Sequence, residues 1–179
     1  HRYYDQPNID YTNYEEDIYV GYRHYTTRNI KVAYPFGFGL TYSDFNITNM
    51  KVKNTKNLIT VSCQVTNIGK HAAKQVVQLY STELKPLEDR PIIELRGYKK
   101  TPTLKPGESC NITIEISPED LSYYSEEAKS WKLTAGEYLL SLGFSSEDLR
   151  INQNITIKQN KLRPVTDILK PATGDIFIK

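Results

Sequence analysis

The sequence predicts an all-β fold, a sandwich of about seven strands, with extended arms at both ends. Three observations carry this. From Phe45 onward, short runs alternate apolar and polar residues with the period of two that places successive side chains on opposite faces of a strand. Turn signals separate the runs at about the 8–12-residue spacing of a sandwich. No long amphipathic helix interrupts them, which argues against an α/β arrangement.

In chain order, Phe45 to Lys53 alternates weakly. Leu58 to Asn67 alternates well, with Val61, Cys63 and Val65 on one face and Thr60, Ser62, Gln64 and Thr66 on the other. Asn67-Ile-Gly69 is a turn. Gln75 to Ser81 reads as a strand buried on both faces or twisted, and Pro86 to Pro91 as a loop. Ile92 to Lys100 is a strand with Gly97 as a candidate bulge. Leu104-Lys-Pro-Gly-Glu108 is a turn with Pro and Gly in a favourable order. Asn111 to Ser117 alternates strictly, and Pro118-Glu-Asp-Leu121 opens a brief helical turn. Trp131 to Leu133 is a short strand candidate. Gly136 to Gly143 is a strand, and Leu149 to Lys158 closes the set. Tyr138, early in the penultimate strand, is either the tyrosine corner of an immunoglobulin-like fold or an ordinary core residue.

The chain has 179 residues, which suits one domain with arms. Its 39% hydrophobic and 25% charged residues point to a globular protein. A formal net charge of +2, with lysines scattered along the chain, gives no footprint for nucleic acid. No apolar run reaches the roughly 18 residues that span a bilayer, so neither a nucleic acid nor a membrane is expected as a partner. The chain opens on His1, without a Met or a signal peptide. A processed product, or a piece of something longer, is expected, with chemistry on a missing part. The compartment stays open, with a secreted or periplasmic setting favoured over a cytoplasmic one.

Tyrosine is over-represented, with 14 residues, and seven of them precede Asn29: Tyr3, Tyr4, Tyr11, Tyr14, Tyr19, Tyr22 and Tyr25. Such a segment suits packing on a larger neighbour. Ile18 to Tyr25 fits either a short helix or an extended stretch. Tyr34-Pro-Phe-Gly-Phe-Gly-Leu-Thr-Tyr42 cannot be a helix interior, and its aromatics mark a loop packed onto something.

Candidate chemistry is sparse. His1, His24 and His71 lack metal-ligand spacing, and Cys63 and Cys110 complete no zinc site, so no metal or cofactor is expected. Gly37-Phe-Gly39 lacks the third glycine and the context of a phosphate cradle. Ser145 and Ser146 have no nearby base. Glu15-Glu16-Asp17 reads as a solvated acidic stretch rather than a catalytic pair. Cys110 opens a strand antiparallel to that of Cys63 and lies beside its far end near Thr66, so two free thiols are expected. Asn46-Ile-Thr48, Asn111-Ile-Thr113 and Asn154-Ile-Thr156 are glycosylation sequons that matter only in a secreted eukaryotic protein. Trp131, the one tryptophan, is expected in the core rather than stacked on a sugar ring.

Several segments, in order, resemble glycoside hydrolase family 3, which includes β-glucosidases and β-xylosidases. Glu16 to Tyr25 looks like the family's exit from its second catalytic domain, and Tyr34 to Tyr42 like its entry to the accessory domain. Val65 to Gly69, Val76 to Tyr80, Arg90-Pro91 with Glu94 to Tyr98, Leu104 to Glu108 and Gly143 to Ser146 follow in the family's order. The resemblance covers roughly Asp17 to Ile157. It implies an immunoglobulin/fibronectin type III-like sandwich over residues 42–158. It also implies a Tyr-rich arm over 1–41, ending a preceding catalytic domain, and a C-terminal extension over 159–179.

It further implies a structural accessory domain of a β-glycosidase, with the remaining catalytic domains as partner and an oligosaccharide as a further candidate contact. The family's nucleophile and acid/base lie on domains upstream in the usual order, and a retaining mechanism needs two carboxylates about 5–5.5 Å apart. No catalytic residue is therefore carried over, and the chain alone is expected to be inactive. The tail from Lys161 to Lys179, with apolar Ile176-Phe-Ile178, departs from the pattern. It is expected either to lead onward in a permuted enzyme or to lie along a partner. The alternatives are a carbohydrate- or surface-binding module and an adhesion-type sandwich unrelated to hydrolysis.

Overall fold

A computed structural model describes residues 15–86 and 88–165. The first four tyrosines, His1 and the Ile176–Ile178 segment lie outside these residues. Seven strands form the two layers of a sandwich. One sheet has the order β1-β2-β5, with β1 Phe45–Asn54, β2 Ile59–Asn67 and β5 Ser109–Ile116. The other has the order β4-β3-β8-β9, with β3 Val76–Glu83, β4 Glu94–Lys100, β8 Gly136–Ser145 and β9 Asp148–Ile157. Each neighbouring pair within these two sheets is antiparallel. A third, small sheet joins β6 Tyr123–Ser125, β7 Ser130–Leu133 and β10 Lys161–Pro164 in the order β10-β7-β6.

The alternating runs fold as strands because each can bury one face between the layers. Ile59, Val61, Cys63 and Val65 of β2 point inward with Ile112, Ile114 and Ile116 of β5. They meet Val77 and Leu79 of β3 and Tyr138, Leu140 and Leu142 of β8. At about 25 cal/mol per Å² of apolar surface removed from water, this shared core is the main term holding the layers together. Gly97 allows the layers to close at their edge, since a Cβ there would sit 2.8 Å from Cγ2 of Ile114. The register of β4 against β3 shifts beside it, so the expected bulge is present.

Tyr138 is a tyrosine corner. Its ring is in the core, and its hydroxyl donates to the Thr134 carbonyl at 2.9 Å, four residues upstream. Pro118–Leu121 forms one 3-10 turn, closed by a capping box in which the Ser117 N–H donates to Asp120 Oδ2 at 2.7 Å.

The turn at Asn67 is built around a buried amide. Ser43 Oγ donates to Asn67 Oδ1 at 2.6 Å, and the Gly69 N–H donates to the same oxygen at 3.0 Å. Asn67 Nδ2 donates to the carbonyls of His71 at 2.7 Å and Leu104 at 2.8 Å. One side chain thereby ties the start of β1, the turn after β2 and the loop before β5.

The cysteines are free. Cys63 lies opposite Ile112, whereas Cys110 lies opposite Val65, one diagonal step away. Burial, and then the neighbouring Cys110 thiol, pushes the Cys63 thiol up to about 11, and burial also raises half-buried Cys110. Because the thiolate is the reactive form, Cys110 is expected to alkylate at least about tenfold faster than Cys63 in the native protein. Denaturation without reductant should then give two adducts by intact mass, and finding none would disprove free thiols.

Asn46, Asn111 and Asn154 are exposed on strands, each followed by a buried isoleucine. Trp131 corrects an expectation. It is 39% exposed on β7, where Ser130 and Leu133 are the buried residues.

Candidate functional site

β3 and β8 are buried on both faces, which a two-layer sandwich does not explain by itself. Val77 and Leu79 face the core, and the alternate residues Gln78 and Tyr80 are buried as well. The N-terminal arm covers them. Its only described helix, α1 Tyr22–Thr27, follows Gly21, which takes a positive φ of 59°. Tyr22 meets the Tyr80 ring edge-on at 6.1 Å and stacks on Phe36 at 4.7 Å.

Backbone and amide hydrogen bonds clip the following loop in place. The Ser146 N–H donates to the Phe36 carbonyl at 2.9 Å. Gln78 Nε2 donates to the carbonyls of Gly37 at 3.1 Å and Phe144 at 2.6 Å, while the Tyr80 hydroxyl donates to Gln78 Oε1 at 2.5 Å. Gly37 is required there. It has a φ of 81°, and a Cβ would fall 2.3 Å from Gln78 Oε1. Burial also pushes the Tyr80 phenol well above its ordinary range, which keeps it a neutral donor at any physiological pH.

The other anchor is ionic. Arg90, in the loop between β3 and β4, has a side chain only 5% exposed. It pairs with Glu83 and, through Nη2, with Glu94 Oε2 at 3.0 Å. Arg96 Nη2 reaches the same Glu94 oxygen at 2.6 Å, and Arg23 of α1 reaches Glu94 Oε1 at 3.4 Å. The Arg90 guanidinium also lies 4.4 Å from the centroid of the Tyr123 ring. Two carboxylates thus hold three guanidinium groups, one of them from the arm. The Tyr22 hydroxyl accepts from the Leu95 N–H at 2.8 Å, and Thr27 Oγ1 accepts from the Ile92 N–H at 3.1 Å. Tyr19 seats the arm against the loop before β4. Burial, and then the Asp89 carboxylate, push its phenol up to about 12.

Seated this way, the arm buries one side and presents the other. Tyr34 and Phe38 are exposed, and Leu40 and Tyr42 are each 93% exposed. These four large apolar side chains lie within nine residues, on a segment whose backbone is held by the sandwich. Isolated exposed apolar residues are ordinary, but a cluster of this kind marks a contact surface.

Among the described residues no group of His, Cys, Asp and Glu is arranged to hold a metal. His24 packs edge-on against Tyr25, and His71 lends its carbonyl to Asn67. Glu15, Glu16 and Asp17 are exposed, and Ser145 and Ser146 are buried among the arm contacts.

Residues 75–146 match the fibronectin type III-like domain family. The chain is 44% identical over 138 residues to a β-glucosidase of Kluyveromyces marxianus, covering 76% of this chain and 16% of that one. β-Glucosidase 3B of Thermotoga neapolitana, solved with α-D-glucose, superposes with a TM-score of 0.81 at 36% identity, over 84% of this chain and 21% of that one. The GH3 β-glucosidase of Bifidobacterium adolescentis superposes with a TM-score of 0.76 at 37% identity, over 86% and 23%.

The chain belongs with the fibronectin type III-like domains of glycoside hydrolase family 3. It spans about a fifth of the length of these relatives. The matched stretch of this fibronectin type III-like domain runs from the start of β3 past the end of β8, the two strands that the arm covers. Sequence reasoning identified the arm as a packing segment but missed the Glu83–Arg90–Glu94 cluster. Arg90 and Glu94 both fall in a resemblance segment, yet no periodicity marks them as buried partners.

Proposed function

We propose that this domain is the structural accessory part of a β-glycosidase that hydrolyses terminal β-linked sugars, with β-glucosidase activity the best-supported form. In this reading, residues 1–41 end a catalytic domain and link to the sandwich of residues 42–158, and residues 159–179 extend it. The module packs on and stabilises the catalytic domains, which supply the nucleophile and the acid/base; the chain alone turns over no glycoside. The observation that carries this is the exposed apolar cluster from Tyr34 to Tyr42, clipped to the sandwich at Phe36 and Gly37, on a chain one fifth the length of its relatives.

The test uses Leu40→Asp together with Tyr42→Asp. In the full-length enzyme these should lower the thermal midpoint by about 5 °C or more, since a charged group in a desolvated contact costs several kcal/mol. In the 179-residue chain they should leave the midpoint unchanged. Equal midpoints in both settings, or turnover of an aryl β-glucoside by the chain alone, would overturn the reading.

A further inference from the structure

A groove of about 770 Å³ lies between the arm and the β6–β7 hairpin. That volume falls within the range of small-ligand clefts. Asp17 and Ile18 of the arm form one wall. The lining also includes Tyr124 and Trp131, which are directly opposed cross-strand partners in β6 and β7.

The two rings meet at 71° with centroids 6.0 Å apart, and both are exposed. The hairpin beneath them is held tightly. The Lys129 N–H donates to the Glu126 carbonyl at 3.3 Å, and Ser130 Oγ donates to the Ala128 carbonyl at 2.9 Å. Strand β10 pins the same hairpin from its other side, with Arg163 opposite Trp131 and its guanidinium 5.9 Å from the indole centroid. The aromatic corner is therefore preorganised. It is rimmed by the exposed carboxylates of Glu126 and Glu127 and by the Arg163 guanidinium.

We propose that this groove binds a β-linked gluco-oligosaccharide. An all-equatorial pyranose has two flat faces made of C–H bonds, which suit the face of an indole or a phenol. Its hydroxyls project around the ring edge. There carboxylates accept hydrogen bonds from them, and a guanidinium donates to them. The groove lining holds these three elements: the exposed aromatic pair, the carboxylates of Glu126 and Glu127 at the hairpin tip, and four guanidinium groups, that of Arg163 on β10 among them.

The choice of a β-linked glucan rests on the glycosidase reading above.

Trp131 is the only tryptophan in the chain, so its emission reports the groove directly. Titrating cellotetraose into the 179-residue chain should give a saturable emission change that maltotetraose, α-linked and curved, does not reproduce. Tyr124→Ala should weaken binding about tenfold, the scale of losing one aromatic anchor. Trp131→Phe, which keeps a ring, should weaken it less than Trp131→Ala when each is measured by calorimetry. Circular dichroism checks that each variant is folded. If a variant fails to fold, the wild-type titration still decides.

No emission change up to the solubility limit of cellotetraose, or equal changes with both sugars, overturns the proposal. Failure here, with aryl β-glucoside turnover by the full-length enzyme intact, removes only the subsite. Absent turnover with intact cellotetraose binding removes the glycosidase reading and leaves the groove as a sugar site.

Discussion

Arg90→Ala is expected to destabilise the domain by about 4 kcal/mol, because removing one partner of a buried ion cluster leaves the others charged and desolvated. Arg90 is the central cation of the cluster. It contacts both Glu83 and Glu94 and lies against the Tyr123 ring. Without it, Glu83 loses its only ion-pair partner among the described residues, and its side chain is 7% exposed. Glu94 keeps Arg96 and the more exposed Arg23. The loss should therefore concentrate at Glu83.

A double variant separates charge from packing. Arg90→Met combined with Glu83→Gln removes the stranded charge and should recover at least half of the loss. Thermal melts and urea unfolding of the two variants give the comparison. For a domain of this size, 4 kcal/mol corresponds to a fall in midpoint on the order of 10 °C. A single-variant loss below about 1 kcal/mol would mean that the cluster behaves as a surface salt bridge does.

The same cluster illustrates what sequence could not supply. The seven sandwich strands were legible because a period of two is a direct consequence of burying one face. The register of β2 against β5, and with it the two free thiols, followed from the antiparallel order. Burial of β3 on both faces was legible too, from Val76-Val-Gln-Leu-Tyr80, but its cause was not. The cover comes from Tyr22 and Phe36, more than 40 residues upstream, and no local pattern links them to Gln78 and Tyr80.

Glu83, Arg90 and Glu94 meet because the loop from residue 84 to 93 folds back, and such loops carry no hydrophobic period. Trp131 was misplaced for a related reason. A large aromatic beside a strand favours the interior on average, yet on four-residue β7 the buried residues are Ser130 and Leu133, which lie on opposite faces, so no alternation marks an inward side. The hairpin that displays Trp131 pairs β6, a strand of only three residues, which is too short for alternation to be read.

Asn67→Leu carries the second large expected effect, about 3 kcal/mol or more. The substitution keeps the branched shape of the side chain and opens no cavity, so the loss comes from hydrogen bonding, with the added bulk of two methyl groups acting in the same direction. Four bonds disappear together: two accepted by Oδ1 from Ser43 and Gly69, and two donated by Nδ2 to His71 and Leu104. The Ser43 hydroxyl is left in the interior without a partner, at a cost of about 1–3 kcal/mol, while the Leu104 carbonyl keeps the Ala73 N–H and loses only its second donor.

Asn67→Asp is the more informative variant. It keeps the acceptor for Ser43 and Gly69 but turns the two donor positions into acceptors facing carbonyls. A buried carboxylate in that place is disfavoured, so its folded-state pKa should be raised. By linkage, the variant should then lose stability as pH rises through the carboxylate range, and regain it below, where the protonated acid supplies one donor. Wild type, with a neutral amide, should show no such dependence from this position. If Asn67→Asp melts at the wild-type temperature at pH 7, the turn is not held by the amide donors.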